Sequence, residues 1–162
     1  EVAVAYGGDI SPEGSVRVMR FANRVPLLYQ PSACAITLSL IDTDWRNYRI
    51  SQSNNALPTG PLVVIVHVAS VWVPFTSESK DAVAHYDEII KEIRLGVQEC
   101  GRKVGEHIGK IRRDAEAARK KDYIAQYIGH IAAALQEITG DGDKKTQNVE
   151  KNLQGLLERS RS

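Results

Sequence analysis

The sequence predicts an α+β fold: a two-layer sandwich of a four-stranded sheet with helices on one face, extended by a long C-terminal helix. Two observations carry this. Between residues 2 and 75, apolar residues alternate with period two in several runs separated by Gly, Pro, Asp and Ser turns. From Asp87 onward the spacing changes to three and four, through Ile90, Ile93, Val97, Cys100, Val104, Ile108, Ile111, Ala115 and Ala118, which draws one apolar stripe along a helix. Strands first and helices last, in one chain, bury their apolar faces as two layers.

The elements follow in order. Val2–Gly8 and Val16–Tyr29 read as strands joined by "DISPEG" into a hairpin. Pro31 and Ser32 begin a helix through Ala33–Ile41, because Pro suits the first helical turn and the run is Ala-rich. "WRNYRISQ", Trp45–Gln52, reads as a short strand and "SNNALPTGP" as a loop. Leu62–Phe75 is the longest strand and the most buried, since its first half is apolar on both faces. A helix over Asp87–Lys121 would measure on the order of 50 Å, more than is needed to cover a small sheet. Gly101, Gly105 and Gly109 stand at i, i+4 and i+8 on it, the spacing of a ridge of small residues against which another backbone packs. Tyr123–Gly140 forms a second amphipathic helix closed by Gly140, "DGDKKTQ" a linker, and the residues from Asn148 onward a fraying tail. The organisation expected is residues 1–86 as sheet and packing helices, 87–140 as stalk helix and following helix, and 141–162 as linker and short helical or disordered tail.

Composition narrows the classes of function. The chain has 162 residues, 43% apolar and 25% charged, with net charge +1, so any basic patch for nucleic acid is local. Cys34 and Cys100 lie in apolar segments and read as reduced thiols in a cytoplasmic protein. No apolar run is long enough to span a membrane. The chain opens on "EVAVAYGGD", already alternating as a strand, and reads as a fragment of something longer. It contains no G-x-S-x-G elbow, no phosphate loop, no H-E-x-x-H and no Cys/His cluster at metal spacing, so no catalytic residue and no metal ligand is expected within it. His67, His85, His107 and His130 are scattered, as structural or surface histidines are.

Three features have the chemistry of a site. In "TSESK" the polar turn after the long strand offers caps at Thr76, Ser77 and Ser79 with Lys80 just past them, at a helix N-terminus whose partial positive charge disfavours a cation. Such a turn suits an anion such as phosphate, although a solvated lysine accounts for it too. "WRNYR" interleaves Trp45, Arg46, Tyr48 and Arg49, a combination that grips a nucleic-acid backbone; a half-buried strand explains the aromatics equally well. Residues 102–121 hold eight basic side chains against three acids, a net +5, which suits DNA, an acidic partner or plain solvation.

Taken together, "YGG", "RFANRVPLLYQPSACAIT", "WRNY", "GPLVVIVHVASVWVPFTSESKDAVAHYDEIIKEI" and "ECGRKV" resemble the transducer domain of the B subunit of archaeal DNA topoisomerase VI, from about Tyr6 to Gly140. The resemblance implies a ribosomal-protein-type fold with a left-handed βαβ crossover. It implies an ATPase domain of the gyrase and histidine-kinase type elsewhere in the B subunit, holding ATP and Mg, and a stalk helix that reaches the topoisomerase VI A subunit, where DNA is cleaved and Mg is bound again. It implies that Lys80 matches the switch lysine that contacts the ATP γ-phosphate, with Ser77 and Ser79 beside it. "WRNY" matches a W-K-x-Y motif implicated in DNA contact, with Arg46 in place of lysine. The assembly implied is a heterotetramer of two A and two B subunits that passes one DNA duplex through another, associated with the nucleoid, and the 162 residues alone are expected to hydrolyse nothing. Two other readings stand beside it: a non-catalytic scaffold that binds an A-like partner, and a stand-alone nucleic-acid-binding module.

Overall fold

The computed structural model describes residues 1–140 and 142–159; residue 141 of the expected linker and residues 160–162 of the expected tail lie outside the described residues. The strands are β1 (Val2–Tyr6), β2 (Arg17–Ala22), β3 (Val25–Pro26), β4 (Ser51–Gln52), β5 (Pro58–Thr59) and β6 (Leu62–Val68), and the helices α1 (Ala35–Ile41), α2 (Asp87–Thr139) and α3 (Asp143–Arg159). The class is α+β, with a four-stranded mixed sheet in the order β1-β6-β2-β3 and a small β4-β5 ribbon. The chain divides into two compact units, Glu1–Gly109 and Lys110–Ser162.

In the first unit β6 takes the centre of the sheet, antiparallel to β1 (Val4 opposite Val64) and parallel to β2 (Val18 opposite Val64). Its Leu62, Val64 and Val66 are fully buried, each worth about 1.5–3 kcal/mol of apolar transfer, and they share a core with Ile36 and Leu40 of α1 and Ile93, Val97, Val104 and Ile108 of α2. Both helices therefore cover the same sheet face, and Ala3 and Ala5 on the opposite face of β1 are exposed. The parallel β2–β6 pair needs a crossover, and α1 lies within it.

Several elements differ from the sequence reading. The expected β1–β2 hairpin does not form, because the more apolar β6 inserts between the two strands, and period-two alternation marks a strand's buried face without naming its neighbour. The hairpin lies instead inside the expected 16–29 strand: Asn23 (φ 46°) and Arg24 (φ 71°) turn left-handed between paired Ala22 and Val25, the signature of a two-residue loop. The expected strand over Trp45–Gln52 is a 3₁₀ turn over Trp45–Tyr48 followed by the two residues of β4. Asp44 begins that turn by accepting from the Arg46 backbone N–H, and Arg49 ends it with φ 65°. Strand β6 stops at Val68 rather than Phe75, where Asn23 pairs with both backbone groups of Ser70 at 2.8 and 3.0 Å.

No helix begins near Lys80; α2 starts at Asp87, with Asp87 and Glu88 matching the positive end of its dipole. The two helices expected from Asp87 to Gly140 are one, of 53 residues. In the second unit Ile128 and Ala132 are buried, and Gly140 (φ 67°) ends α2, its N–H bonded to the Gln136 carbonyl at 2.9 Å. The expected linker and tail are largely the 17-residue α3.

The glycine ridge receives the 3₁₀ turn. A Cβ added at Gly101 would lie 2.7 Å from the Tyr48 ring, and one at Gly105 would lie 3.2 Å from the Tyr48 Cα and 3.3 Å from its carbonyl oxygen. At Gly129 the nearest neighbour of such a Cβ would be Glu150 Oε1 at 3.9 Å, an ordinary contact. Two glycine-to-alanine substitutions in one helix should therefore act with opposite sign in urea denaturation. Gly129→Ala should stabilise by up to about 1 kcal/mol through helix propensity, whereas Gly105→Ala should lose that gain to overpacking against backbone, at a cost of about 1–3 kcal/mol. Equal stabilisation by both would refute the close contact.

Candidate functional site

Lys80 stands near the tip of a closed loop. The loop's base is an antiparallel bridge between Phe75 and Val83, reinforced by Thr76 N–H to Ala82 carbonyl at 3.0 Å and Ala84 N–H to Pro74 carbonyl at 2.8 Å. Within it the Lys80 N–H closes a turn onto the Ser77 carbonyl at 3.1 Å, and Lys80 itself is left-handed, φ 57°, an uncommon conformation for a side chain of this kind. Ser79 Oγ donates to Asp81 Oδ2 at 2.6 Å, and so Ser77, 2.7 Å away, donates to Ser79. Those two hydroxyls are occupied by the loop's own hydrogen bonds. The Lys80 side chain is exposed, and among the described residues no carboxylate lies within ion-pair distance of it. The loop thus displays one ammonium, unpaired among the described residues, above a hydrogen-bonded base, with Asp81 turned to the serines.

The "WRNY" residues divide by burial. Trp45 is completely buried and its Nε1–H donates to the Leu40 carbonyl at 2.8 Å, so its ring is an anchor in the core. Tyr48 is half-buried, its ring edge-on to Trp45 at 6.2 Å between centroids and its backbone against Gly105. Arg46 and Arg49 are exposed. Arg46 Nε donates to Asp44 Oδ1 at 3.0 Å, and that hydrogen bond holds the Asp44 carboxyl below its ordinary range. So exposed an ion pair is weakly held and open to exchange for another anion. The aromatics therefore fix the turn from beneath while the two arginines face solvent.

Sequence reasoning passed over three residues that shape these sites. Asp44 caps the 3₁₀ turn and pairs with Arg46; an Asp two positions before an arginine at a turn start is the signal that could have found it. Gln52 clips the turn, its Oε1 accepting from Trp45 N–H at 3.1 Å and its Nε2 donating to the carbonyls of Ile41 and Ala56 at 2.9 and 3.0 Å, a role no local pattern announces. Asp81 accepts from Ser79.

Among the described residues no group of His, Cys, Asp or Glu is arranged to hold a metal, and no helix is long and apolar enough to cross a membrane. Both cysteines are free thiols. On the basic stretch of α2, Glu99 is paired with Arg102 and, at 3.8 Å, with Lys103.

The family described as the transducer of the topoisomerase VI B subunit matches residues 1–121. The B subunit of type 2 DNA topoisomerase 6 from Natronomonas pharaonis is 48% identical over 158 residues, 97% of this chain and 19% of that protein. The protein of the same name from Halobacterium salinarum is 46% identical over 165 residues, 100% of this chain and 20% of the relative. That from Pyrococcus furiosus is 41% identical over 145 residues, 90% of this chain and 24% of the relative. The chain thus spans about a fifth to a quarter of the length of these relatives. With the sheet, the Lys80 loop and the 3₁₀ turn all inside the matched residues, the chain belongs to the topoisomerase VI B-subunit transducer family.

Proposed function

We propose that this chain couples ATP binding and hydrolysis in an adjacent ATPase domain to DNA cleavage and strand passage by the topoisomerase VI A subunit, as the transducer of an ATP-dependent type IIB topoisomerase. The observation that carries the proposal is the Lys80 loop and its attachment. Lys80 is held near the tip in an uncommon backbone conformation, and Val83 at the base accepts from the Ala35 N–H, the first residue of α1, at 2.9 Å. An ammonium offered to a phosphate is thereby tied, through one bridge and one hydrogen bond, to a buried helix. The nucleotide, bound by the ATPase domain with Mg, supplies the phosphate charge that draws the loop. This chain's part is to place Lys80 against the γ-oxygens, with Ser77 and Ser79 stiffening the turn, and to give up that contact when the γ-phosphate leaves.

Duplex DNA is the partner at the 3₁₀ turn, where Arg46 and Arg49 meet phosphates while Trp45 and Tyr48 hold the turn. The A subunit takes the far part of α2, where Ile124, Ile131 and Ile138 recur every seven residues and are 48%, 46% and 80% exposed, a stripe suited to a helical partner. Two such B subunits and two A subunits make the assembly, working at the nucleoid in the cytoplasm.

In the full-length B subunit Lys80→Ala should leave the fold intact and slow ATP hydrolysis and supercoil relaxation by about 10- to 150-fold, the kinetic equivalent of a charge-assisted contact of roughly 1.5–3 kcal/mol. Nucleotide affinity should fall less, because Lys80 joins only the closed triphosphate state, and Lys80→Arg should restore little. Relaxation at the wild-type rate would leave Lys80 a solvated surface residue. For DNA, Arg46→Ala and Arg49→Ala should each weaken binding across sequences and reduce the slope of log K against log salt by about 1. An unchanged slope in both would remove the turn from the DNA interface.

A further inference from the structure

The two arginines of the 3₁₀ turn differ in their surroundings. Asp44 Oδ1 accepts twice from Arg46, from its backbone N–H at 3.3 Å and from its side-chain Nε–H at 3.0 Å. One carboxylate oxygen therefore both begins the turn and holds the guanidinium. Arg46 also borders a polar recess of about 180 Å³ whose walls include Asp42, Asp44 and Asn54, and it is the one cation among the described residues that line it. Two acids against one cation leave that recess with a net negative charge. Arg49, which ends the turn, does not line the recess, and no carboxylate of the described residues lies within ion-pair distance of it. The same short turn thus presents one arginine with an internal counter-ion and one without.

A DNA phosphate and the Asp44 carboxylate are both anions that accept from a guanidinium, so they compete for Arg46. We infer that Asp44 is an internal stand-in for a phosphate, an autoinhibitory contact that DNA displaces before Arg46 can serve the duplex. The inference rests on the reading of the turn as a DNA contact and adds the regulation of that contact. Displacement is feasible because both side chains are well exposed, 62% for Arg46 and 47% for Asp44, and an exposed ion pair is weak and screened by salt. It is opposed because the freed carboxylate stays on the same turn as the incoming phosphate, with Asp42 bordering the same recess, and like charges repel. The hydrogen bond from Arg46 holds the Asp44 carboxyl below its ordinary range, so the competitor is fully charged at neutral pH. Binding is therefore graded. Arg49 meets phosphate outright, and Arg46 adds its contact only by breaking the pair.

The test measures binding of a short mixed-sequence DNA duplex to the full-length B subunit by fluorescence anisotropy, over a series of salt concentrations. Asp44→Asn keeps an oxygen that can cap the turn and removes the charge. It should tighten binding about 2- to 5-fold at low ionic strength, the range of an exposed ion pair, and the gain should shrink as salt rises. Combined with Arg46→Ala, the same change should keep less than half of that gain, because no guanidinium is left to release. Asp42→Asn removes an equal charge from the same recess and leaves the Arg46–Asp44 hydrogen bond in place, so it too should gain less than half as much. Asp44→Ser, another uncharged cap, should behave as Asp44→Asn does, which separates the loss of charge from any loosening of the turn. Equal gains from Asp44→Asn with and without Arg46, or from Asp42→Asn and Asp44→Asn, would make the effect one of bulk charge and overturn the inference. Weaker binding by both Asp44 variants would overturn it too, since the carboxylate would then orient the guanidinium for phosphate. Failure of the DNA reading looks different: Arg46→Ala and Arg49→Ala would both leave the salt slope unchanged, and the inference would fall with it. A slope reduced by both, with no gain from Asp44→Asn, overturns the autoinhibitory contact alone.

Discussion

The contact between the Tyr48 backbone and Gly105 sets the geometry of the first unit. At a separation that would place a Cβ 3.2 Å from the Tyr48 Cα, only glycine lets α2 lie so close to the 3₁₀ turn. Helix propensity opposes glycine there by up to about 1 kcal/mol per residue, so the contact persists because of what it brings within reach. Val97, Val104 and Ile108 of α2 are buried in the core that holds Trp45 of the turn and Val64 and Val66 of β6. Gly96, nine residues before Gly105 on α2, makes a separate close approach, where a Cβ would lie 2.8 Å from Val2 Cγ2 on the edge strand.

Helix α1 is the short piece on which both exposed features rest. Five of its seven residues are buried. At its start the Ala35 N–H donates to Val83 at the base of the Lys80 loop, and near its end the Leu40 carbonyl accepts from Trp45 Nε1–H. A helix too short to be stable alone is thus held by the core on its sides and by these hydrogen bonds at its ends. The base of the Lys80 loop and the arginine-bearing turn are thus each hydrogen-bonded to the same short helix.

The second unit is built to a different rule. It buries Ile128 and Ala132 and leaves Tyr123, Ile124, Tyr127, Ile131, Leu135 and Ile138 exposed on α2, where the first unit hides nearly every large apolar side chain of its helices. Its α3 contains no fully buried residue, although Gly129 of α2 brings Glu150 within 3.9 Å of where a Cβ would be. Two helices alone cannot bury apolar stripes on both sides, and the surplus is the kind of surface that a helical partner covers.

Local pattern was enough for part of this. The α+β class, the stripe from Ile93 to Ile108 and the close packing at Gly101 and Gly105 follow from spacing, because burial imposes its period on the residues themselves, and the burial of β6 follows from its run of apolar residues, although which of its faces is the buried one does not. In the sequence Lys80 stands out for a helix N-terminus that the fold does not form there, α2 starting only at Asp87, and "WRNY" for its interleaved aromatics and cations. Tertiary structure decided the rest. Strand pairing is a long-range choice, so only the assembled sheet shows β6 between β1 and β2 and places a two-residue turn at Asn23–Arg24. Whether "WRNY" becomes strand or 3₁₀ turn depends on a carbonyl at Leu40, a side chain at Gln52 and two glycines more than fifty residues away, none of which a short window contains. That Trp45 is core while Arg46 and Arg49 face solvent follows from the turn, because a turn distributes side chains in a way that alternation along a strand does not. Nor does any period reveal Arg20: an arginine at an inward position of a strand reads as an error of pattern until the fold sets its Nη2 on the carbonyls of Leu27 and Tyr29.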